Sequence, residues 1–143
     1  MRLITKNTDY ALRALINLAK NKNEFVSSST IAKKEGIPLA YLRRILQILI
    51  NEGIITSKEG VDGGVKLVKD PRSIQVSDII RIFQGEIELS ECLFRRKICP
   101  QRSGCPLRSR IKKIEDKLKR EFESISVAGL LKDQMRPSLS ERQ

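Results

Sequence analysis

Ser27-Ser28-Ser29-Thr30-Ile31-Ala32-Lys33-Lys34-Glu35-Gly36-Ile37-Pro38-Leu39-Ala40-Tyr41-Leu42-Arg43-Arg44-Ile45-Leu46-Gln47-Ile48-Leu49-Ile50-Asn51-Glu52-Gly53 reads as two helices separated by a tight turn. The Ser/Thr run supplies side-chain oxygens that cap a helix start, so a short helix opens there and covers Ile31 to Glu35. Gly36 stops it, because glycine enters the left-handed conformation without a Cβ penalty. Pro38 suits the start of the next helix, where its missing N–H costs nothing. That second helix runs about 39–52 and buries Leu42, Ile45, Leu46 and Leu49, which recur at helical spacing. Its other face carries Ala40, Tyr41, Arg43, Arg44, Gln47 and Asn51, and Gly53 ends it. A short helix, a glycine turn and a longer helix with a basic first turn predict a helix-turn-helix.

The flanks extend this unit. Upstream, Leu12, Leu15, Ile16 and Ala19 make an apolar face that predicts a helix over 9–20, with Thr8 or Asp9 as its N-cap and Asn21 to Asn23 as its end. Asp9 and Arg13 are spaced to pair across one turn. Downstream, two β-prone runs, Ile54 to Lys58 and Val65 to Val68, are joined by Glu59-Gly60-Val61-Asp62-Gly63-Gly64, whose Asp-Gly-Gly marks a turn. A hairpin directly behind the second helix is a wing. Asp70-Pro71 breaks the chain, and Val76, Ile79, Ile80 and Phe83 predict a further helix that ends at Gly85. Leu107, Ile111, Ile114, Leu118, Phe122 and Ile125 form a narrow seam on a long, otherwise charged helix, which suits pairing between subunits. Ser126 caps a last helix carrying Val127, Leu130 and Leu131. The expected fold is mainly α with a small β-hairpin wing: a winged helix-turn-helix plus a long dimerisation helix. The expected division is 1–85 for the winged unit, 86–106 for a cysteine loop, 107–134 for the dimerisation and C-terminal helices, and 135–143 for a disordered tail.

With 143 residues and a net charge of +11, the chain favours a polyanionic partner, most simply nucleic acid. No apolar run spans a bilayer and no signal-peptide core opens the chain, so a soluble cytoplasmic protein is expected. Three cysteines are an odd number, unlike a secreted disulfide framework. Histidine is absent and no acid–base pair converges, which argues against an enzyme.

The N-terminal turns of the second helix meet base edges in helix-turn-helix proteins. Arg43 and Arg44 are therefore candidate DNA contacts, since arginine reads guanine bidentately. Tyr41 could pack on sugar or phosphate and Ala40 could meet a thymine methyl; Leu39 and Thr30 complete the set, Thr30 being first a helix cap. Lys58 and Lys66 flank the wing tip and could reach phosphates or the minor groove.

Cys92, Cys99 and Cys105 all fall in one basic stretch, separated by six and then five residues. Cys99 and Cys105 are each followed by proline. Eleven Lys or Arg lie between Cys92 and Arg120, against Glu115 and Asp116. Thiolates in such surroundings are metal ligands or redox groups. Iron–sulfur chemistry, a metal-free thiol sensor, zinc and three unrelated buried cysteines are the readings open at this point. Zinc lacks its usual CxxC pairs.

The ordered set of these pieces resembles the bacterial winged-helix iron–sulfur transcription regulators, the IscR/NsrR-like family. Its carriers are Met1-Arg2-Leu3, Thr8-Asp9-Tyr10-Ala11-Leu12-Arg13-Ala14-Leu15, Gly36-Ile37-Pro38-Leu39-Ala40-Tyr41-Leu42, the Gly63-Gly64 wing, the three cysteines and the Ser126 to Leu131 ending. The resemblance implies a homodimeric DNA-binding transcription regulator, a repressor, reading double-stranded DNA at a partly palindromic operator. It implies that the three cysteines hold an iron–sulfur cluster that senses iron, nitric oxide or redox state. In the cluster-assembly branch a histidine three residues after the last cysteine is the fourth ligand; here Arg108 stands there, so that ligand set is excluded. The nitric-oxide-responsive branch is similar at Asp9, which implies Asp9 of the opposite subunit as fourth ligand and a 4Fe–4S rather than a 2Fe–2S cluster. The wing carries Lys58 where family members often have arginine.

Overall fold

The computed structural model describes residues 2–89 and 104–136; Cys92, Cys99 and most of the expected tail lie outside the described residues. Three helices come first, α1 (Lys6–Lys20), α2 (Ser28–Glu35) and α3 (Leu39–Asn51). A hairpin of β1 (Ile55–Lys58) and β2 (Gly64–Leu67) follows. After a 3-10 turn (Pro71–Ser73) come α4 (Val76–Gln84), the long α5 (Pro106–Ser124) and α6 (Val127–Gln134). This is the expected winged helix-turn-helix with a long helix appended.

The start of α1 differs from expectation. Its N-cap is Thr5, whose side chain accepts from the Thr8 N–H at 3.4 Å, while Thr8 itself is buried inside the first turn. The cap is placed there by a tertiary tie. The Thr5 N–H donates to Gln84 Oε1 at 2.9 Å, and Gln84 Nε2 donates back to the Leu3 carbonyl at 3.0 Å. The buried face of α1 matches the expected one at Leu15 and Ala19 and is broader: Ala11, Ala14 and Leu18 are also buried core, while Leu12 and Ile16 pack at its margin. Because α1 packs against α3, α4 and α6, it needs small alanines where neighbouring helices approach.

The core joins these α1 residues to Ile31 of α2, Leu42, Ile45, Leu46 and Leu49 of α3, Ile55 and Val65 of the hairpin, Ile74, Ile79 and Val127. Val127 shows that α6 returns to the winged unit. Its backbone N–H donates to the Ile74 carbonyl, and the Val76 N–H donates to the Ile125 carbonyl, both at 2.9 Å. Ser126 caps α6 as expected, accepting from the Gly129 N–H at 3.0 Å.

The hairpin is antiparallel, with Ile55 opposite Leu67 and Lys58 opposite Gly64. Val26, in the link between α1 and α2, adds a third edge by exchanging both backbone hydrogen bonds with Val65 at 2.9 Å. Gly64 is required by this approach. Its φ is +151°, and a Cβ there would lie 2.3 Å from the Val26 carbonyl oxygen. Gly64→Ala is therefore expected to cost about 2 kcal/mol through overpacking and backbone strain. Urea unfolding checks this, and an unchanged midpoint would mean that residue 26 does not hold the wing.

No apolar side chain of α5 is fully buried among the described residues; Leu107 is 65% and Ile114 53% exposed. The buried side chain of α5 is Glu115, 1% exposed. Lys119 lies 3.5 Å and Lys112 3.8 Å from its Oε1, and the Leu89 N–H donates to its Oε2 at 3.4 Å. A buried carboxylate is tolerated because its charge is paired and its oxygens accept hydrogen bonds. The segment leading from α4 towards the cysteines is thereby tied to α5.

Candidate nucleic-acid interface and cysteine site

The helix-turn-helix geometry follows from local chemistry. Ser27 is the N-cap of α2, its Oγ accepting from the Thr30 N–H at 3.1 Å, so the cap precedes Ser29 and Thr30. Thr30 is exposed, and its hydroxyl lies 2.7 Å from that of Ser27. Gly36 holds the turn with φ +64°. Pro38 stands at the N-cap of α3, one position before the first helical residue. Arg13 of α1 braces the turn: its Nη1 donates to the Glu35 carbonyl at 3.4 Å, and its Nη2 pairs with Asp9 Oδ2 at 3.0 Å.

With its apolar stripe buried, α3 turns Ala40, Tyr41, Arg43, Arg44 and Gln47 to solvent. Leu39 differs from these, being partly buried and packed on the core. Arg44 lies over the Tyr41 ring, 4.9 Å from its centroid. Tyr41 in turn meets Tyr10 of α1 edge-on, with centroids 6.0 Å apart and planes at 84°. Such stacking restricts the guanidinium while leaving its N–H edges outward. Tyr10 is a supporting residue that its own stretch of sequence does not reveal, since α1 and α3 meet only in the fold.

On the wing, Lys58 and Lys66 share one partner. Their ammonium groups lie 5.7 and 4.7 Å from the centroid of the Phe25 ring. Phe25 too is absent from the expected set. Its signal would have been the β-prone Phe25-Val26 pair, which is too short to read as a strand alone.

Of the expected metal ligands, Cys105 and Asp9 are described. Cys105 is a free, partly buried cysteine at the N-cap of α5, and its side chain makes no capping bond. Its sulfur is thus in neither a disulfide nor a structural cap. Asp9 sits in the first turn of α1, 46% exposed and paired with Arg13. Among the described residues no group of three or more His, Cys, Asp or Glu could hold a metal ion. The donor chemistry nevertheless fits an iron–sulfur cluster: soft thiols are present in number, one is uncommitted at a helix start, and a carboxylate remains reachable from outside the protomer.

Comparison with known proteins agrees with this geometry. The Rrf2 family model, described as an iron-dependent transcriptional regulator, matches residues 4–133. The transcriptional repressor NsrR of Streptomyces coelicolor is 29% identical over 133 residues, covering 92% of this chain and 86% of that protein. The transcriptional regulator NsrR of Bacillus licheniformis is 37% identical over 90 residues, 62% of this chain and 63% of its own. Among solved structures, CymR, the global cysteine regulator of B. subtilis, superposes with a TM-score of 0.77 at 28% identity, covering 92% of this chain and 98% of that one. No helix among the described residues is long and apolar enough to cross a membrane.

Proposed function

Since the chain belongs to the Rrf2 family of iron-dependent transcriptional regulators, and so is a DNA-binding regulator and not an enzyme, we propose that it acts as a homodimeric repressor controlled by an iron–sulfur cluster. Cys92, Cys99 and Cys105 would hold the cluster, with Asp9 of the opposite subunit as fourth ligand and four irons rather than two. The observation that carries this reading is the uncommitted Cys105 thiol at the head of α5. When bound, the cluster would supply a redox- and nitric-oxide-sensitive centre, most reactive at the iron with a carboxylate ligand.

The chain's own residues supply the rest. The exposed seam of Leu107 and Ile114 on α5 suits a second copy of the same helix. Two α3 helices would then enter successive major grooves of a partly palindromic operator, with Arg43, Arg44, Tyr41 and Ala40 on the bases or backbone and Thr30 on phosphate. Leu39, half-buried, would contribute through packing. Lys58 and Lys66 would meet phosphates beside the flanking minor grooves. Cys105 begins α5, α5 packs on α4, α4 on α1, and α1 on α3. Asp9 adds a shorter route, because Arg13 joins it to the carbonyl before the helix-turn-helix turn. A change in what Cys105 or Asp9 binds would thus bear on the placement of α3, and become a free energy of DNA binding.

Likeness to CymR, the global cysteine regulator of B. subtilis, favours one other reading, a metal-free thiol sensor. Anaerobic native mass spectrometry separates the two. A dimer heavier by one iron–sulfur cluster per subunit supports the first, whereas a metal-free dimer that responds to oxidants through its cysteines would replace it with the second.

A further inference from the structure

We propose that Phe25 is a positioning residue for DNA binding: its ring is the platform on which Lys58 and Lys66 are held for contact with the phosphate backbone. The inference rests on the reading of those two lysines as phosphate contacts and adds a residue outside the wing. Val26 and Val65 exchange backbone hydrogen bonds, so Phe25, one residue back, lies across from Lys66. Lys58 pairs with Gly64 in the neighbouring row of the sheet, and side chains two apart on a strand share a face. Gly64 brings no side chain to that face, which leaves Lys58 an open path to the ring. Both ammonium groups accordingly converge on this one ring, at 4.7 Å for Lys66 and 5.7 Å for Lys58 from its centroid.

The arrangement is unusual in its charge. Two like charges drawn to one ring repel each other, and no carboxylate pairs with either lysine among the described ion pairs. The negative face of the ring offsets part of that repulsion. A free lysine loses its rotamer freedom when it binds a phosphate; one already resting on a ring loses less. Phe25 thus prepares a doubly positive wing for a polyanion without neutralising it.

The test is a double-mutant cycle read by fluorescence anisotropy on a labelled random-sequence duplex at fixed salt. Phe25→Leu keeps an apolar side chain but removes the π face, and should weaken binding roughly tenfold, the cost of ordering two long side chains anew. Phe25→Tyr should bind as the parent does. In a Lys58→Gln/Lys66→Gln background, Phe25→Leu should cost nothing further. An equal loss in both backgrounds would overturn the proposal, since the ring would then act on DNA directly or on the fold. Unchanged binding by Phe25→Leu, with the double glutamine variant weakened, overturns it as well. If the double glutamine variant itself binds like the parent, the wing contacts fall together with it. Thermal melting accompanies each variant, and Phe25→Met replaces Phe25→Leu if the latter does not fold.

Discussion

Arg44→Glu is expected to remove operator binding, lowering affinity by roughly 10²- to 10³-fold while the protein stays folded. The residue is exposed, in the first two turns of α3, and its guanidinium rests on the Tyr41 ring. A bidentate arginine–guanine contact is worth about 1–3 kcal/mol of discrimination. A symmetric dimer would lose it twice, and each glutamate would add repulsion from the phosphates. Stability should change by about 1 kcal/mol or less, because an exposed cation–π contact is worth only about 0.5–1 kcal/mol. Anisotropy on the operator duplex and a thermal melt check the two halves of the expectation. Parent-like affinity would show that α3 does not read DNA in the way proposed.

The second large effect concerns the sulfurs. Cys105→Ala should yield colourless protein without iron when purified anaerobically, where the parent should be brown; Cys92→Ala and Cys99→Ala should do the same. The apo fold should persist, since the Cys105 side chain is half-buried and caps nothing, and substitutions away from packed or bonded features usually shift stability by about 0.5 kcal/mol or less. Asp9→Ala should be milder on assembly but speed cluster decay in oxygen. It would also break the Arg13 pair at 3.0 Å, an exposed bridge worth about 0.2–1 kcal/mol, so a stability control belongs beside the decay rate. Iron content equal to that of the parent in all three cysteine variants would end the cluster reading.

The helix-turn-helix was legible because its signals are local. Ser27 caps a backbone N–H three residues on, Gly36 and Gly53 act through their own backbone, and the buried stripe Leu42, Ile45, Leu46 and Leu49 repeats within one helix. The wing was legible for the same reason, through its Asp-Gly-Gly turn. The cap of α1 lies three or four residues before the expected Thr8 or Asp9 because Thr5 is chosen by Gln84, far along the chain. On α1, Leu15 and Ala19 are core as expected, whereas Ala11 and Ala14 are not legible because alanines score weakly as core, although contact with several helices makes them the right size. Glu115, in a charged helix, gave no sign of burial; its two lysines and the Leu89 N–H meet it only after α4 and α5 pack.

From its order of residues alone the chain determined that it carries a glycine-punctuated helix-turn-helix, a basic hairpin and three thiols in a cationic stretch, because each is a property of neighbours along the backbone. Tertiary structure alone decided that Phe25 serves both wing lysines, that Tyr10 braces Tyr41, and that Val127 closes the core beside Ile74. Those choices depend on which surfaces meet when apolar faces are buried together, and no local propensity encodes a meeting between segments that far apart.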